Sequence, residues 1–394
     1  MNVKVLDMEA TNKKIWIFSE YLHGSGGTST VVKKAKEVLS LLRVPYCHAS
    51  IINSSAKEKE EEKKKLYFKA FPMPVYINNL LAGLKWKRQL RQIPAALVLG
   101  GSPIAAGIPY AANIPYIMWI GTTFYDEYKV RSIVREIINK NYSLVLNKLF
   151  AWLNTIIESY VLKKAQLIIV QSPYTLRTIK EHYKIEEKKI EYLPYPVTPK
   201  LQMGKKTFNV KGPVLLAVGR VDDNRKNFSL LLDVFSLFVK VFPKSRLRIV
   251  GEISCKSRVL KKARRLGISS FVDFLGNINN DELATEYVKA NIFVLSSKQE
   301  GLGLVYLEAM SYGLPVVTTK CGGPEGIITD GVNGYLVNQN DPGAFSHTLE
   351  KIWGSEELYR KLCIQAYNYI LKTHGDEEFR KRFIEIFQTK LGIC

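Results

Sequence analysis

Glu300 and Glu308 stand eight residues apart in SSKQEGLGLVYLEAMSYGLPVVTTKCGGPEG, residues 296–326, with Gly301 and Gly303 close behind the first of them. A helix starting near Leu302 would put Glu300 at its mouth and Glu308 nearly two turns in, with the amides of Gly301 and Gly303 open between them. Such a mouth can bind a sugar and a diphosphate together. Unpaired N–H groups at the positive end of a helix suit phosphate, and a carboxylate accepts hydrogen bonds from paired hydroxyls. Glutamates on a surface helix are ordinarily just solvated. Here Leu304, Val305, Leu307 and Met310 make the helix too apolar for the surface, so its carboxylates need partners, and a ligand supplies them.

A second candidate is VGRVDDNRKN, residues 218–227, which carries Arg220, Arg225 and Lys226 just after the apolar run Val214–Val218. An open α/β sheet binds its ligands at the carboxyl ends of its strands, and cations there suit a diphosphate. Read alone, Arg225, between Asn224 and Lys226, fits a solvent-exposed basic loop, and Asp222 and Asp223 read as loop acids beside the cations. No carboxylate cluster marks a metal site. The third candidate, HGSGGTSTVV at 23–32, places Gly24, Gly26 and Gly27 between a strand and a helix. Three glycines there permit close approach to a phosphate, but without G-x-G-x-x-G spacing the plain reading is a tight turn.

The elements that must position these residues follow from the apolar runs. Lys14–Phe18, Ala96–Leu99, Tyr116–Trp119 and Leu167–Val170 form one series; Val214–Val218, Leu247–Val250, Ile292–Leu295 and Pro315–Thr318 form another. Runs of this kind are buried on both faces, as parallel strands are, and helical stretches separate them. The expected fold class is α/β, with two doubly wound parallel-sheet domains. Between the series, residues 193–213 hold four prolines and two glycines and read as an interdomain linker. The spacing of Val134, Ile138, Val145, Leu149, Trp152, Ile156 and Tyr160 predicts one long or broken helix over 131–164 with a core-facing stripe. The mixed-charge run Ala56–Lys65 reads as solvated.

The chain has 394 residues, enough for two or three domains, and its five scattered cysteines fit neither a disulfide framework nor a zinc site. The first residues lack the apolar core of a secretory signal, and no apolar stretch reaches the length of a membrane span, so a cytoplasmic protein is expected. Net charge is +21, with 30 Lys and Arg against 16 Asp and Glu in residues 1–200. An anionic partner explains such an excess, as does a lysine-rich background. With no recognition module or aromatic-basic repeat, nucleic acid is not the expected partner. NNLLAGLKWKRQLRQI, residues 78–93, sets Lys85, Lys87, Arg88 and Arg91 among Leu80, Leu81, Leu84, Trp86 and Leu90. It predicts an imperfect amphipathic helix, suited to peripheral docking on an anionic membrane such as the inner face of a plasma membrane.

In order and spacing, the Gly-rich first loop, the GR…KN segment, the LGN turn at 275–277, the E-x7-E segment, the CGGPEG loop and DGVNGYLV resemble one family. It is the large retaining group of GT-B glycosyltransferases often called GT4. The resemblance implies two Rossmann-like domains facing a central cleft. The first, 1–198, would be the acceptor side; 199–212 a linker; 213–375 the donor-nucleotide domain; and 376–394 a C-terminal helix packing back toward the first domain. It implies transfer of a hexose-type sugar, with retention, from a UDP- or GDP-type donor to a hydroxyl on a glycan or lipid-linked acceptor. It also implies that no cofactor or metal is needed. Arg220 and Lys226 would grip the diphosphate and Glu308 the ribose hydroxyls. Glu300 and the amides of Gly301–Gly303 would hold the sugar, and Gly26 and Gly27 would approach the phosphates. Asn277, Leu302, Leu304 and Val305 complete the implied donor site.

Two departures from the family pattern stand out. The Arg220-to-Lys226 spacing is one residue long, which makes Arg225 a second candidate for the lysine's part. The first domain of many relatives carries a His where this chain has Gly121, Thr122 and Thr123, so its contact to the sugar is either made by an acceptor-side residue such as Thr122 or Asp126, or absent. A silent nucleotide-sugar binder, or another GT-B activity such as an epimerase or phosphorylase, is the rival reading.

Overall fold

The computed structural model of the chain describes residues 15–19, 27–52, 66–69, 75–85, 87–93, 95–100, 103–123, 125–126, 144–200, 208, 212–255 and 257–391. It divides into two compact units, Met1–Tyr195 with Phe379–Cys394, and Pro196–Glu378.

The first unit is built on a seven-stranded sheet, every neighbouring pair parallel, in the order β3-β2-β1-β4-β5-β6-β7. Its strands are β1 (Ile15–Ser19), β2 (Tyr46–Ile52), β3 (Leu66–Lys69), β4 (Ala95–Gly100), β5 (Tyr116–Ile120), β6 (Leu167–Val170) and β7 (Ile190–Tyr192). The second unit holds a six-stranded parallel sheet, order β10-β9-β8-β11-β12-β13. Its strands are β8 (Val214–Val218), β9 (Arg246–Val250), β10 (Val272–Gly276), β11 (Ile292–Leu295), β12 (Val316–Thr319) and β13 (Gly334–Val337). The expected α/β class and doubly wound sheets are borne out.

The central strands are the ones the apolar runs announced, within a residue or so at each end. Five strands were not: β2, β3, β7, β10 and β13, all at a sheet edge or, for β2, one place in. Covered on fewer sides, such strands tolerate polar residues, as in the half-exposed VDFLG of β10, and so lose the continuous apolar signature.

Crossovers bury the sheet faces. The helix Phe228–Val241 returns from β8 toward β9 with Phe228, Leu231, Leu232, Val234, Phe235 and Phe238 sealed in the core. The helix Asp376–Leu391 starts in the second unit and runs into the first, where Phe379 stacks on Trp119 of β5 with ring centroids 5.7 Å apart. Phe383 tilts against the same indole, also at 5.7 Å.

One expectation needs correction. Of the helix predicted over 131–164, the part Leu144–Lys164 is described and helical, while Val134 and Ile138 lie outside the described residues; in the described part the supposed core-facing stripe points outward, with Leu149, Trp152 and Tyr160 exposed. The face turned inward carries Asn154, Glu158, Val161 and Leu162, with Glu158 accepting hydrogen bonds from the Tyr183 hydroxyl and the Tyr125 amide. A buried acid with two donors competes successfully for the inner face, which periodicity of apolar residues cannot register. The amphipathic segment expected over 78–93 is helical at Val75–Lys85 and Lys87–Leu90, and Trp86 between them lies outside the described residues. The run 56–65 and most of the 199–212 linker also lie outside them. No helix among the described residues is long and apolar enough to cross a membrane.

Candidate functional site

In the second sheet the strand order reverses between β8 and β11, the switch point at whose carboxyl side open α/β sheets hold their ligands. Arg220, Arg225 and Lys226 follow β8; Glu300 and Gly301–Leu304 follow β11. The fold thus brings together residues 74 positions apart: Lys226 Nζ donates to Glu300 Oε1 at 2.6 Å, with both side chains largely buried. The Ser297 hydroxyl donates to the same oxygen at 2.7 Å.

The loop carrying the cations is pinned from both ends. The Gly219 amide donates to Val250 of β9 and the Lys298 amide to the Arg225 carbonyl at 2.7 Å. The Ser296 hydroxyl holds the Asn227 carbonyl at 2.8 Å. Asp223 is the loop's inner anchor, accepting from Arg225 Nη2 at 2.8 Å and Arg220 Nη2 at 2.9 Å. Burial raises the Asp223 pKa, but the hydrogen bonds and charge of Arg225, with Arg220 behind them, outweigh it and hold the carboxyl below its ordinary value. Arg225 is therefore not the exposed loop residue its neighbours suggested: its side chain is 17% accessible, against 62% for Arg220. Lys226 reaches the glutamate. Asp222 turns away to accept from the Ser254 amide and the Ser257 hydroxyl.

The helix behind Glu300 begins at Leu304, two residues later than its sequence suggested, because Gly303 adopts a left-handed backbone (φ 79°) at its N-cap. No described side chain caps this end, which leaves the amides of Leu304 and Val305 without a side-chain acceptor, the condition in which a helix N-terminus can hold an anion. Leu307 and Met310 are sealed in the core as their types required, while Leu304 and Val305 are half-buried. Glu308 accepts from the Tyr287 hydroxyl at 2.9 Å, and burial pushes its carboxyl above the ordinary range, partly offset by that bond. Asn277, exposed after edge strand β10, lies two strands from β8 and is not drawn into the cation cluster.

In the first unit, Gly27 opens the helix Gly27–Leu41, and Gly26 lies outside the described residues. Thr122 is half-buried. Asp126, offered by its sequence as an acceptor contact, is 2% exposed and already accepts from Thr123, Tyr174 and Thr178 at 2.8, 2.9 and 3.1 Å. Buried and holding three hydroxyls, it ties the loop after β5 to the helix Pro173–Glu181 instead of facing solvent.

The residue missed from sequence is Glu325. Its carboxylate accepts from the amides of Cys321 at 3.1 Å and Gly322 at 2.9 Å, closing the turn whose backbone clamps Glu300. The Glu300 amide donates to the Cys321 carbonyl and the Gly323 amide to the Glu300 carbonyl. Gly323 has no room for a side chain: a Cβ would sit 2.8 Å from the Gly301 carbonyl and 2.7 Å from that of Leu302. The signal was present, since a carboxylate three residues after a turn's first position is capping-box spacing. Glu325→Ala should cost about 0.5–2 kcal/mol, the range for losing a capping acceptor at an exposed turn where water partly replaces it. Glu325→Gln, which keeps an acceptor oxygen, should recover at least half of that in thermal unfolding. Equal losses in the two variants would show that the turn does not depend on this contact.

Three cations and two carboxylates thus gather beside a helix N-terminus without a side-chain cap, at the switch point of the second sheet. The chain has the GT-B fold: it superposes on sucrose-phosphate synthase from Thermosynechococcus elongatus with TM-score 0.76 at 16% identity, covering 97% of this chain and all of that one. HepE of Anabaena, in complex with UDP and glucose, matches with TM-score 0.69 at 14% identity over 95% of this chain and all of that one. Residues 200–369 match the family described as glycosyl transferases group 1, as the resemblance read from its motifs implied. Mannosylfructose-phosphate synthase of Agrobacterium fabrum is 30% identical over 222 residues, 52% of this chain and 49% of that protein. The lipopolysaccharide core biosynthesis glycosyltransferase LpsE of Rhizobium meliloti is 28% identical over 45% and 50%. The chain spans about half the length of these curated relatives.

Proposed function

We propose that the chain is a retaining glycosyltransferase that moves a hexose-type sugar from a nucleoside-diphosphate donor to a hydroxyl of a glycan or lipid-linked acceptor. The observation that carries this is the Lys226–Glu300 pair set against the uncapped amides beyond Gly303. Three cations against two carboxylates leave the cluster positive by one charge. An entering diphosphate competes with Asp223 for Arg220 and with Glu300 for Lys226. The released Glu300 is then free to accept from sugar hydroxyls, while Glu308 serves the ribose. Lys226, Arg220 and the helix amides stabilise charge as the diphosphate departs. The relatives named for sugar and lipopolysaccharide synthesis support a role in building glycans. Exposed Lys85, Arg88 and Arg91 support a cytoplasmic enzyme working at an anionic membrane where its acceptor is held.

A thermal-shift screen of nucleotides and sugar nucleotides tests the reading. A true donor at a hundredfold excess over Kd stabilises by about 2.7 kcal/mol, and no response from any UDP or GDP sugar would defeat it. Because Arg, Lys and amides neutralise the diphosphate, transfer is expected to persist in excess EDTA; complete loss, restored by Mg²⁺ or Mn²⁺, would replace this mechanism with a metal-assisted one.

A further inference from the structure

The helix Leu144–Lys164 turns Leu149, Trp152 and Tyr160 to solvent at 46%, 59% and 61% exposure. With half-buried Ile156 they fall within an arc of about 80°, so this is a continuous stripe rather than scattered apolar residues. Exposed Lys163 and Lys164 close its C-terminal end. The helix Val75–Lys85 packs against this one and exposes Leu81, Leu84 and Lys85, followed by exposed Arg88 and Arg91. Across residues 75–91 and 144–164 the sole acid is Glu158, which is fully buried.

We infer that this stripe is the apolar part of a surface that docks on an anionic lipid bilayer, deepening the membrane reading above and resting on it. The charge pattern selects the occupant. A two-fold contact with a second copy would set cations against cations with no exposed acid to meet them. An anionic bilayer offers phosphate to the lysines and arginines and an apolar boundary to the leucines. Trp152 and Tyr160 are the residue types that settle at headgroup depth, with an apolar ring and a polar atom for the wet side.

The test is flotation of the full chain with vesicles of phosphatidylcholine alone and of phosphatidylcholine mixed with phosphatidylglycerol. Wild type should float only with the anionic vesicles, and less so as salt rises. Leu149→Ser with Trp152→Ser should lower partitioning about tenfold while leaving donor-induced stabilisation unchanged. Replacing exposed Arg258, Lys261, Arg264 and Arg265 of the second unit by Gln should change little, because their helix is strongly basic without an exposed apolar stripe. Three results would overturn the inference: flotation of the Leu149/Trp152 variant like wild type, equal loss in the Gln control, or concentration-dependent self-association of wild type that this variant abolishes. If Gln at 85, 87, 88 and 91 abolishes flotation while the Leu149/Trp152 variant floats normally, the stripe is excluded and the basic segment alone docks. Flotation of a wild type that no sugar nucleotide stabilises would uphold the docking surface and defeat the transferase reading separately.

Discussion

Lys226→Ala is expected to lower kcat by about 10²–10³, the loss typical of removing one group that stabilises charge developing in a transition state. Glu308→Ala should instead act mainly on donor KM, because on the proposed reading its carboxylate would contact the ribose, a part of the donor that does not react. The two variants also differ in stability. Lys226 is the ion-pair partner of largely buried Glu300, so its removal strands a carboxylate with only the Ser297 hydroxyl bound to the same oxygen, at a cost of about 1–3 kcal/mol. The double variant Lys226→Ala/Glu300→Gln removes that stranded charge. It should regain much of the lost stability and none of the turnover. Recovery of both together would mean that Lys226 acts only through folding, and near-wild-type kcat in the single variant would remove it from the site. The acid limb gives an independent reading of Glu308. Its carboxyl titrates above the ordinary range, so donor affinity should fall as pH drops through that raised value, and Glu308→Gln should abolish this limb.

How far the site was legible depended on where each residue's neighbours come from. Glu300, Gly303 and Glu308 lie on one stretch of chain, and their spacing with apolar intervals was enough to mark a buried helix with an open mouth. The Lys226–Glu300 pair joins two strand ends brought together by sheet order, which no local pattern encodes. Family spacing left Arg225 and Lys226 interchangeable; in the structure Asp223, read as a loop acid, holds both arginines, while Lys226 pairs with Glu300. The failure at Leu149, Trp152 and Tyr160 is of another kind. Periodicity locates an apolar stripe and says nothing about which way it faces, and Glu158, with the Tyr183 hydroxyl and the Tyr125 amide to satisfy it, claimed the inner face. Asp126 failed for the same reason in reverse: it looked available until the hydroxyls of Tyr174 and Thr178, some fifty residues away, were found on it.

Gly303→Ala should be among the most damaging single-methyl changes in the second unit. The residue sits at φ 79°, a left-handed conformation that costs an L side chain about 1–2 kcal/mol. A Cβ there would also lie 2.3 Å from the ring of Tyr306, which is fully buried and bonded to Thr318 at 3.1 Å, so the ring has nowhere to retreat. Overpacking of this sort adds about 1–3 kcal/mol. Gly276 supplies the control: φ is 66°, and a Cβ would meet nothing within 4 Å. Gly276→Ala should therefore cost only the backbone term, about 1 kcal/mol, and Gly303→Ala about 3 kcal/mol. In thermal unfolding the difference amounts to several degrees for a unit of this size. Because Gly303 is the N-cap of the helix whose uncapped amides are proposed to meet the diphosphate, its variant should bind donor more weakly even below its melting range, whereas Gly276→Ala should bind as wild type does. Equal destabilisation by the two changes would show that Tyr306 yields and that strain alone is felt. A destabilised Gly303→Ala that binds donor normally would show that the amides at this helix mouth are not where the diphosphate rests.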